Sequence, residues 1–392
     1  MKDVEKINVA VEETASELKQ MALYIHENPE LGLEERKACQ VQTQLLEKYG
    51  FSVETGLFGF ETSYRAVYKG KKPGPKIAML AEYDALPELG HGCGHNLIAM
   101  VGVGSGLAMR QIADQYGGEI YVFGTPAEET WGSKVGMAKA GAFDDMDVVM
   151  MAHPMDRETN CMNTMALKSL KFKFFGRTAH AAAAPHEGVN ALDAVINFFN
   201  MVNALRQQTK EDARIHGIIT DGGKAPNVIP DYTEAFVLTR ANKMAYLQEL
   251  TDKVIACAEG AALGTGCRME WEKADEDFMD TDSNLTLAEI YAEQMEKLGV
   301  AIEHTGSEIL PGSSDIGDIS YVCPAIQSTF DICEGEQVGA HTREFAACAG
   351  SDQAMEKALL CIRGFAMTAA ELLRNPENLT AIKEEFNRKH HK

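Results

Sequence analysis

Three apolar runs, each ending abruptly in residues able to bind a metal, constrain this chain more than any other feature of it. Lys76–Ala81 (KIAMLA) leads into Glu82-Tyr83-Asp84-Ala85-Leu86-Pro87 and then His91-Gly92-Cys93-Gly94-His95-Asn96. Glu119–Gly124 (EIYVFG) leads into Thr125-Pro126-Ala127-Glu128-Glu129, and Asp147–Ala152 (DVVMMA) into His153-Pro154. Runs of this length that are apolar on both faces are typical of strands buried on both sides of a parallel sheet. Open α/β sheets carry their ligands just beyond the carboxyl ends of such strands, so the polar clusters stand where a site is expected.

Residues from about Val4 to Tyr49 alternate at helical spacing, with a break at Asn28-Pro29-Glu30-Leu31-Gly32, which predicts two helices before the first strands. Beyond His153 the pattern changes. Ala166–Phe174 alternates with period two, as in a sheet with one wet face. A helix over about 190–208, strands near 215–220 and 233–240, a helix near 243–263 and a strand at 268–273 complete a compact α+β unit. Helix (285–298), strand (325–332) and a final helix (351–373) then return to the first core. The expected fold class is α/β, with a helix-covered, mainly parallel sheet interrupted by a smaller α+β domain. The expected division is 1–164, 165–273 and 274–392, and a chain of 392 residues is long enough for two cores.

A net charge of −21 argues against nucleic acid and anionic membranes as partners, because both are bound by basic surfaces. Nine cysteines, an odd set without a C-x-x-C pair, fit reduced thiols. With a charged N-terminus (Met1-Lys2-Asp3) and no long apolar stretch, they predict a cytoplasmic protein. The tail Lys389-His390-His391-Lys392 reads as a solvated end.

Cys93 and His95 together suit zinc or another borderline ion, although the pair alone fits a buried thiol beside a hydrogen-bonded histidine equally well. Gly92 and Gly94 permit the irregular loop a site needs, and His91 reads as a loop residue or a support for a ligand. Adjacent Glu128 and Glu129 would point opposite ways in an extended segment, one toward a metal and the other toward substrate. His153 stands at a strand end, and His341 lies in a polar loop, Gly339-Ala340-His341-Thr342. Asp315 reads as an Asx-turn or helix cap. The glycines of Val101-Gly102-Val103-Gly104-Ser105-Gly106 do not follow a strand directly and indicate close helix packing rather than a dinucleotide loop.

Taken together, Glu82–Pro87, His91–Asn96, Pro126–Glu129, Ala152–Pro154, Gly176-Arg177-Thr178-Ala179-His180-Ala181 and Asn227-Val228-Ile229-Pro230 resemble the aminoacylase and glutamate carboxypeptidase family of co-catalytic metallopeptidases. The closer likeness is to its amidohydrolase subfamily. Asn96 and His216-Gly217-Ile218-Ile219 point to the branch of aminobenzoyl-glutamate hydrolase and of dipeptidases that release basic C-terminal residues.

The resemblance implies a zinc-peptidase-like catalytic domain with an inserted lid that dimerises, so a homodimer is expected. It implies two divalent ions, Zn or Mn with Co possible, on Cys93, His95, Glu129, His153 and His341. Glu128 would be the general base, His180 a group reaching the reacting carbonyl, and Asp84 a support for a ligand. Asn227 and Arg240 match positions that contact substrate, which would be a dipeptide or N-acyl amino acid. No arginine stands near Gly312-Ser313-Ser314-Asp315 in sequence to pair a substrate carboxylate. A catalytically idle subunit of a hetero-oligomer is the competing expectation.

Overall fold

The computed structural model describes residues 3–390, so Met1, Lys2, His391 and Lys392 of the two termini lie outside the described residues. The chain divides into two compact units. One holds the residues up to 163, 281–310 and those from 314 onward, and the other holds 164–280 with 311–313.

The first unit begins with α1 (Asp3–Glu27) and α2 (Arg36–Lys48), separated where Pro29 and Gly32 interrupt the helical pattern. Strands β1 (Ser52–Thr55), β2 (Tyr64–Lys69) and β3 (Lys76–Ala81) follow, then α3 (His95–Tyr116), β4 (Glu119–Gly124), α4 (Ser133–Lys139) and β5 (Val148–Met155).

The second unit contains β6 (Ala166–Phe175), α5 (Ala191–Leu205), β7 (Arg214–Asp221), β8 (Tyr232–Ala241), α6 (Met244–Thr265) and β9 (Arg268–Lys273). Its four strands form an antiparallel sheet in the order β9-β6-β8-β7. Period-two alternation sends Leu170, Phe172 and Phe174 into a core with Phe198, Leu250 and Val254 of the helices, while Lys171 and Lys173 stay outside it. Residues 274–280 remain tied to β6, since Phe278 and Leu167 exchange backbone bonds and Asp275 N–H donates to Ser169 Oγ.

The chain then returns to the first unit with α7 (Leu285–Lys297), α8 (Ile316–Ser320), β10 (Ala325–Asp331), α9 (Arg343–Ala349), α10 (Asp352–Arg374) and α11 (Pro376–His390). The larger sheet has the order β1-β2-β4-β3-β5-β10. Strands β4, β3, β5 and β10 run parallel, and β2 and β1 extend that sheet antiparallel at one edge. One face packs on α1, α3, α7 and α10 through residues such as Leu18, Val103, Tyr291 and Phe365. The other packs on Phe143, Ile316 and Ile319. Burial on both faces explains the uninterrupted apolar sequence of β3 and β5.

The glycines of α3 serve packing: a Cβ on Gly102 would collide with the carbonyl of Leu80 in β3, and one on Gly106 with Val122 in β4. The helix therefore lies close against the sheet, and its first residue, His95, is carried to the carboxyl end of β3. The C-terminal end differs from a solvated tail within its described part. Lys389 bonds Asp282 and the carbonyl of Ser283, and the His390 ring packs on Tyr321 and Phe386. All nine cysteines are free, and no described helix is long and apolar enough to cross a membrane.

Candidate metal centre

The turn after β3, the start of α3, the turn after β4, the end of β5 and the loop before α9 converge at one end of the larger sheet. His95 is held from its Nδ1 side. That nitrogen lies 2.9 Å from Asp84 Oδ1, and the other oxygen of Asp84 accepts the Glu129 N–H at 3.0 Å. A carboxylate on Nδ1 leaves Nε2 as the free nitrogen, the usual way a histidine ligand is oriented. His153 is set the same way, with Nδ1 2.8 Å from the Pro154 carbonyl and Nε2 3.6 Å from Cys93 Sγ.

The free atoms face one another. His95 Nε2 stands 3.8 Å from Glu129 Oε1, which in turn is 3.2 Å from His341 Nε2. Three overlapping sets bring ligand atoms within 4.8 Å of one another: Cys93 with His95 and His153, Cys93 with Glu129 and His341, and His95 with Glu128 and Glu129. His95 Nε2 and Glu129 Oε1 are buried without a hydrogen-bond partner. Buried polar atoms left unpaired at a common focus are what a cation would satisfy, and thiol, imidazole and carboxylate form a donor set for a borderline ion.

The local backbone explains the convergence. Gly94 adopts φ +76°, a left-handed turn between Cys93 and His95, and a side chain there would run into Pro154. His341 is also left-handed (φ +65°). Its N–H donates to the Gly92 carbonyl at 2.8 Å, and the next residue, Thr342, caps α9 by accepting the Phe345 N–H at 3.2 Å.

Glu128 and Glu129 depart from the extended arrangement expected of them. Ala127 is left-handed (φ +58°) and the following residues form a turn, so both carboxylates enter the same site instead of opposing faces. Burial raises the Glu128 carboxyl well above its ordinary range, reinforced by Glu82, Asp315 and Glu129 and opposed by Lys134. The Glu129 carboxyl is lowered despite its burial, through His341 and His95.

Asp315 is a second departure. It starts α8 but makes no capping bond with its side chain. Its oxygens take Lys134 Nζ at 2.6 Å and Lys134 N–H at 3.0 Å, while Lys134 Nζ also reaches Glu82 Oε1 at 2.5 Å. All three side chains are fully buried. Neither Lys134 nor its pairing with Glu82 was expected from sequence. The only local sign is a lysine opening the short helix between Gly132 and Val135. His91 turns away from the ligand atoms, with its Nε2 3.1 Å from the Ile25 carbonyl, and burial lowers its pKa to about 3.

In the second unit His180 and Asn227 lie on adjacent turns, joined by Ala181 N–H donating to the Asn227 carbonyl. His180 Nδ1 accepts the N–H groups of Ala182 and Ala183 at 3.3 and 3.2 Å, which assigns the ring proton to Nε2 and makes that nitrogen an exposed donor. Arg240 is half-buried and donates to Ser313 Oγ at 2.9 Å. Among the described residues it has no carboxylate partner, and burial alone lowers its pKa. An arginine thus does stand beside Gly312-Ser313, brought from 73 residues away by β8.

Residues 164–265 match the M20 peptidase dimerisation domain. Over 391 residues the chain is 38% identical to Xaa-Arg dipeptidase of Mus musculus, spanning 96% of this chain and 90% of the mouse protein. The chain belongs to the M20 peptidase family. It is a metal-dependent hydrolase of amide or peptide bonds, as its M20 relatives are. A p-aminobenzoyl-glutamate hydrolase subunit of Escherichia coli is 34% identical, over 67% of this chain and 59% of that protein. Among M20 structures, a dinuclear metal-binding peptidase from Bacillus subtilis shares the fold with a TM-score of 0.71 at 20% identity, over 93% of this chain and 99% of that one. A putative aminohydrolase from Staphylococcus aureus gives a TM-score of 0.77 at 19% identity, over 94% and 99%.

Proposed function

We propose that the chain is a dipeptidase that releases a basic C-terminal amino acid, with Glu128 as general base and Cys93, His95, Glu129, His153 and His341 holding two divalent ions, Zn or Mn. The observation that carries this reading is the focus of unpaired ligand atoms on His95 and Glu129, with Glu128 beside them. Bound there, the ions would acidify water and polarise the scissile carbonyl. Glu128 takes the proton of the attacking water and delivers it to the departing amine nitrogen. The Nε2–H of His180, supplied by the second unit of this chain or of a partner, donates to the carbonyl oxygen as it gains charge. Asp84 keeps His95 in the tautomer that leaves Nε2 free.

Arg240, an arginine without a carboxylate partner, suits the C-terminal carboxylate of a dipeptide, and Asn227, on the turn adjacent to His180, supplies a further amide to the substrate. The preference for a basic leaving residue is drawn from the mouse Xaa-Arg dipeptidase and from the acidic charge of the chain. The division 1–164, 165–273 and 274–392, with the middle part as lid, belongs to the same reading. So does a homodimer through that part: β7 is an edge strand with Ile218 and Ile219 exposed, an arrangement that invites pairing. Nine free cysteines suit a cytoplasmic setting.

The test is hydrolysis of a dipeptide panel by protein loaded with Zn, Mn or Co. Preferential release of Arg or Lys is expected. Metal bound with no turnover on any dipeptide or N-acyl amino acid would favour the idle-subunit alternative.

A further inference from the structure

The turn that brings Glu128 and Glu129 into one site is held from outside that site. Ala127 sits in the left-handed region at φ +58°, which a residue with a Cβ occupies only when its surroundings enforce it. Its carbonyl accepts the N–H groups of Trp131 and Gly132 at 3.1 and 2.9 Å, closing the turn. Its own N–H donates to Glu35 Oε1 at 2.8 Å. Glu35, the residue preceding α2, is fully buried, and its Oε2 accepts the Thr62 hydroxyl at 2.8 Å.

Residues 30–35, with Thr62 that Glu35 binds, also grip the neighbouring ligand loop. Ala85 N–H donates to the Glu30 carbonyl at 2.9 Å, and Tyr83 Oη–H donates to the Thr62 carbonyl at 2.7 Å, on either side of Asp84. Gly32 lies so close to Ala127 and Thr130 that a side chain there would displace them. Residues 30–35 therefore clamp both the Asp84 turn and the Glu128 turn.

We propose that Glu35 is a positioning residue for the reaction: by accepting the Ala127 N–H it keeps residue 127 left-handed, and so keeps the Glu128 carboxylate aimed at the same point as Glu129. Glu35 touches neither substrate nor ligand atoms and acts through the backbone of Ala127. The inference rests on the reading of Glu128 as base.

What matters on this account is an acceptor at the right reach, not a charge. Glu35→Gln keeps a carbonyl oxygen at that place. Glu35→Asp keeps the charge but withdraws the carboxylate by one methylene. The experiment is kcat and KM on a dipeptide substrate, with bound metal counted for each variant. Glu35→Gln is expected within about threefold of wild type, whereas Glu35→Asp should lose at least about tenfold in kcat at near-constant KM and metal content. Ala127→Gly, which removes the penalty of the left-handed conformation, should restore several-fold of that loss when combined with Glu35→Asp. Equal kcat in both Glu35 variants, a fully active Asp with a dead Gln, or no recovery in the double variant would overturn the proposal.

Hydrogen exchange on the wild-type protein adds an arm that needs no variant. The Ala127 amide should be among the slowest to exchange in the turn after β4, and free exchange there would also overturn the proposal. Failure of the functional reading is seen separately: Glu128→Gln would then retain full turnover whatever Glu35 does.

Discussion

Lys134 Nζ lies 2.6 Å from Asp315 Oδ1, with both side chains fully shielded from water. The same ammonium reaches Glu82, so one cation serves two buried carboxylates immediately beside Glu128. Breaking such a group by removing one partner is costly, because the charges left behind have no water to turn to. Lys134→Met should therefore destabilise the protein by about 3–5 kcal/mol in denaturant unfolding. A loss under about 1 kcal/mol would show that Glu82 and Asp315 share a proton instead of depending on the lysine.

Asp84 uses one oxygen for His95 and the other for the Glu129 N–H. An amide in its place cannot accept at both. Asp84→Asn should weaken metal binding by roughly 10- to 100-fold, the usual effect of losing a group that orients a ligand. Competition with a chromophoric chelator measures this, and unchanged affinity would remove Asp84 from the support of the site.

Glu128→Gln keeps the shape of the side chain and removes the carboxylate proposed as the base. Metal content should stay at the wild-type value while kcat falls on the order of 10²- to 10⁴-fold. Loss of metal in parallel would instead make Glu128 a ligand.

Glu35 predicts a pH dependence of stability. Burial, the largest influence, raises its pKa from 4.5 to about 7, aided by Asp84 and opposed by its hydrogen bonds, including that from Thr62. Between those two pH values the unfolded chain releases a proton that the folded chain keeps, so the contribution is fully present below about pH 4.5 and is lost as pH rises through 7. The shift corresponds to about 3 kcal/mol. Metal-free wild type should fall by that amount relative to Glu35→Gln between pH 4.5 and 8, and a difference that stays flat would contradict the buried, raised carboxyl.

Much of this was legible in sequence, for physical reasons that also mark where legibility stops. Ile77–Ala81 and Val148–Ala152 are buried on both faces, so their apolar runs announce strands, and the polar residues after them announce a site. Ser52–Thr55 is a short, largely exposed edge strand whose residues bury nothing periodic, and it left no pattern. The glycines of α3 were readable as packing devices because only close approach excludes a side chain. Lys134, Glu82 and Asp315 were not readable as one ion-paired group: Glu82 reads as part of the cluster after β3, Asp315 as a turn or cap, and Lys134 meets Asp315 across 181 residues. The same holds for Arg240 and Ser313. Ala127 misleads for a different reason: a left-handed alanine carries no sequence signal, so the two glutamates after it read as extended.

The central claim is that Cys93, His95, Glu129, His153 and His341 close around a pair of cations. Anomalous diffraction at the zinc edge from crystals grown with Zn tests it most directly. Two peaks are predicted, roughly 3.5–4 Å apart as in other two-metal hydrolases, each within coordination distance of at least two of these side chains. Zinc found elsewhere on the chain, with Cys93 Sγ and His341 Nε2 contacting no metal, would contradict the account.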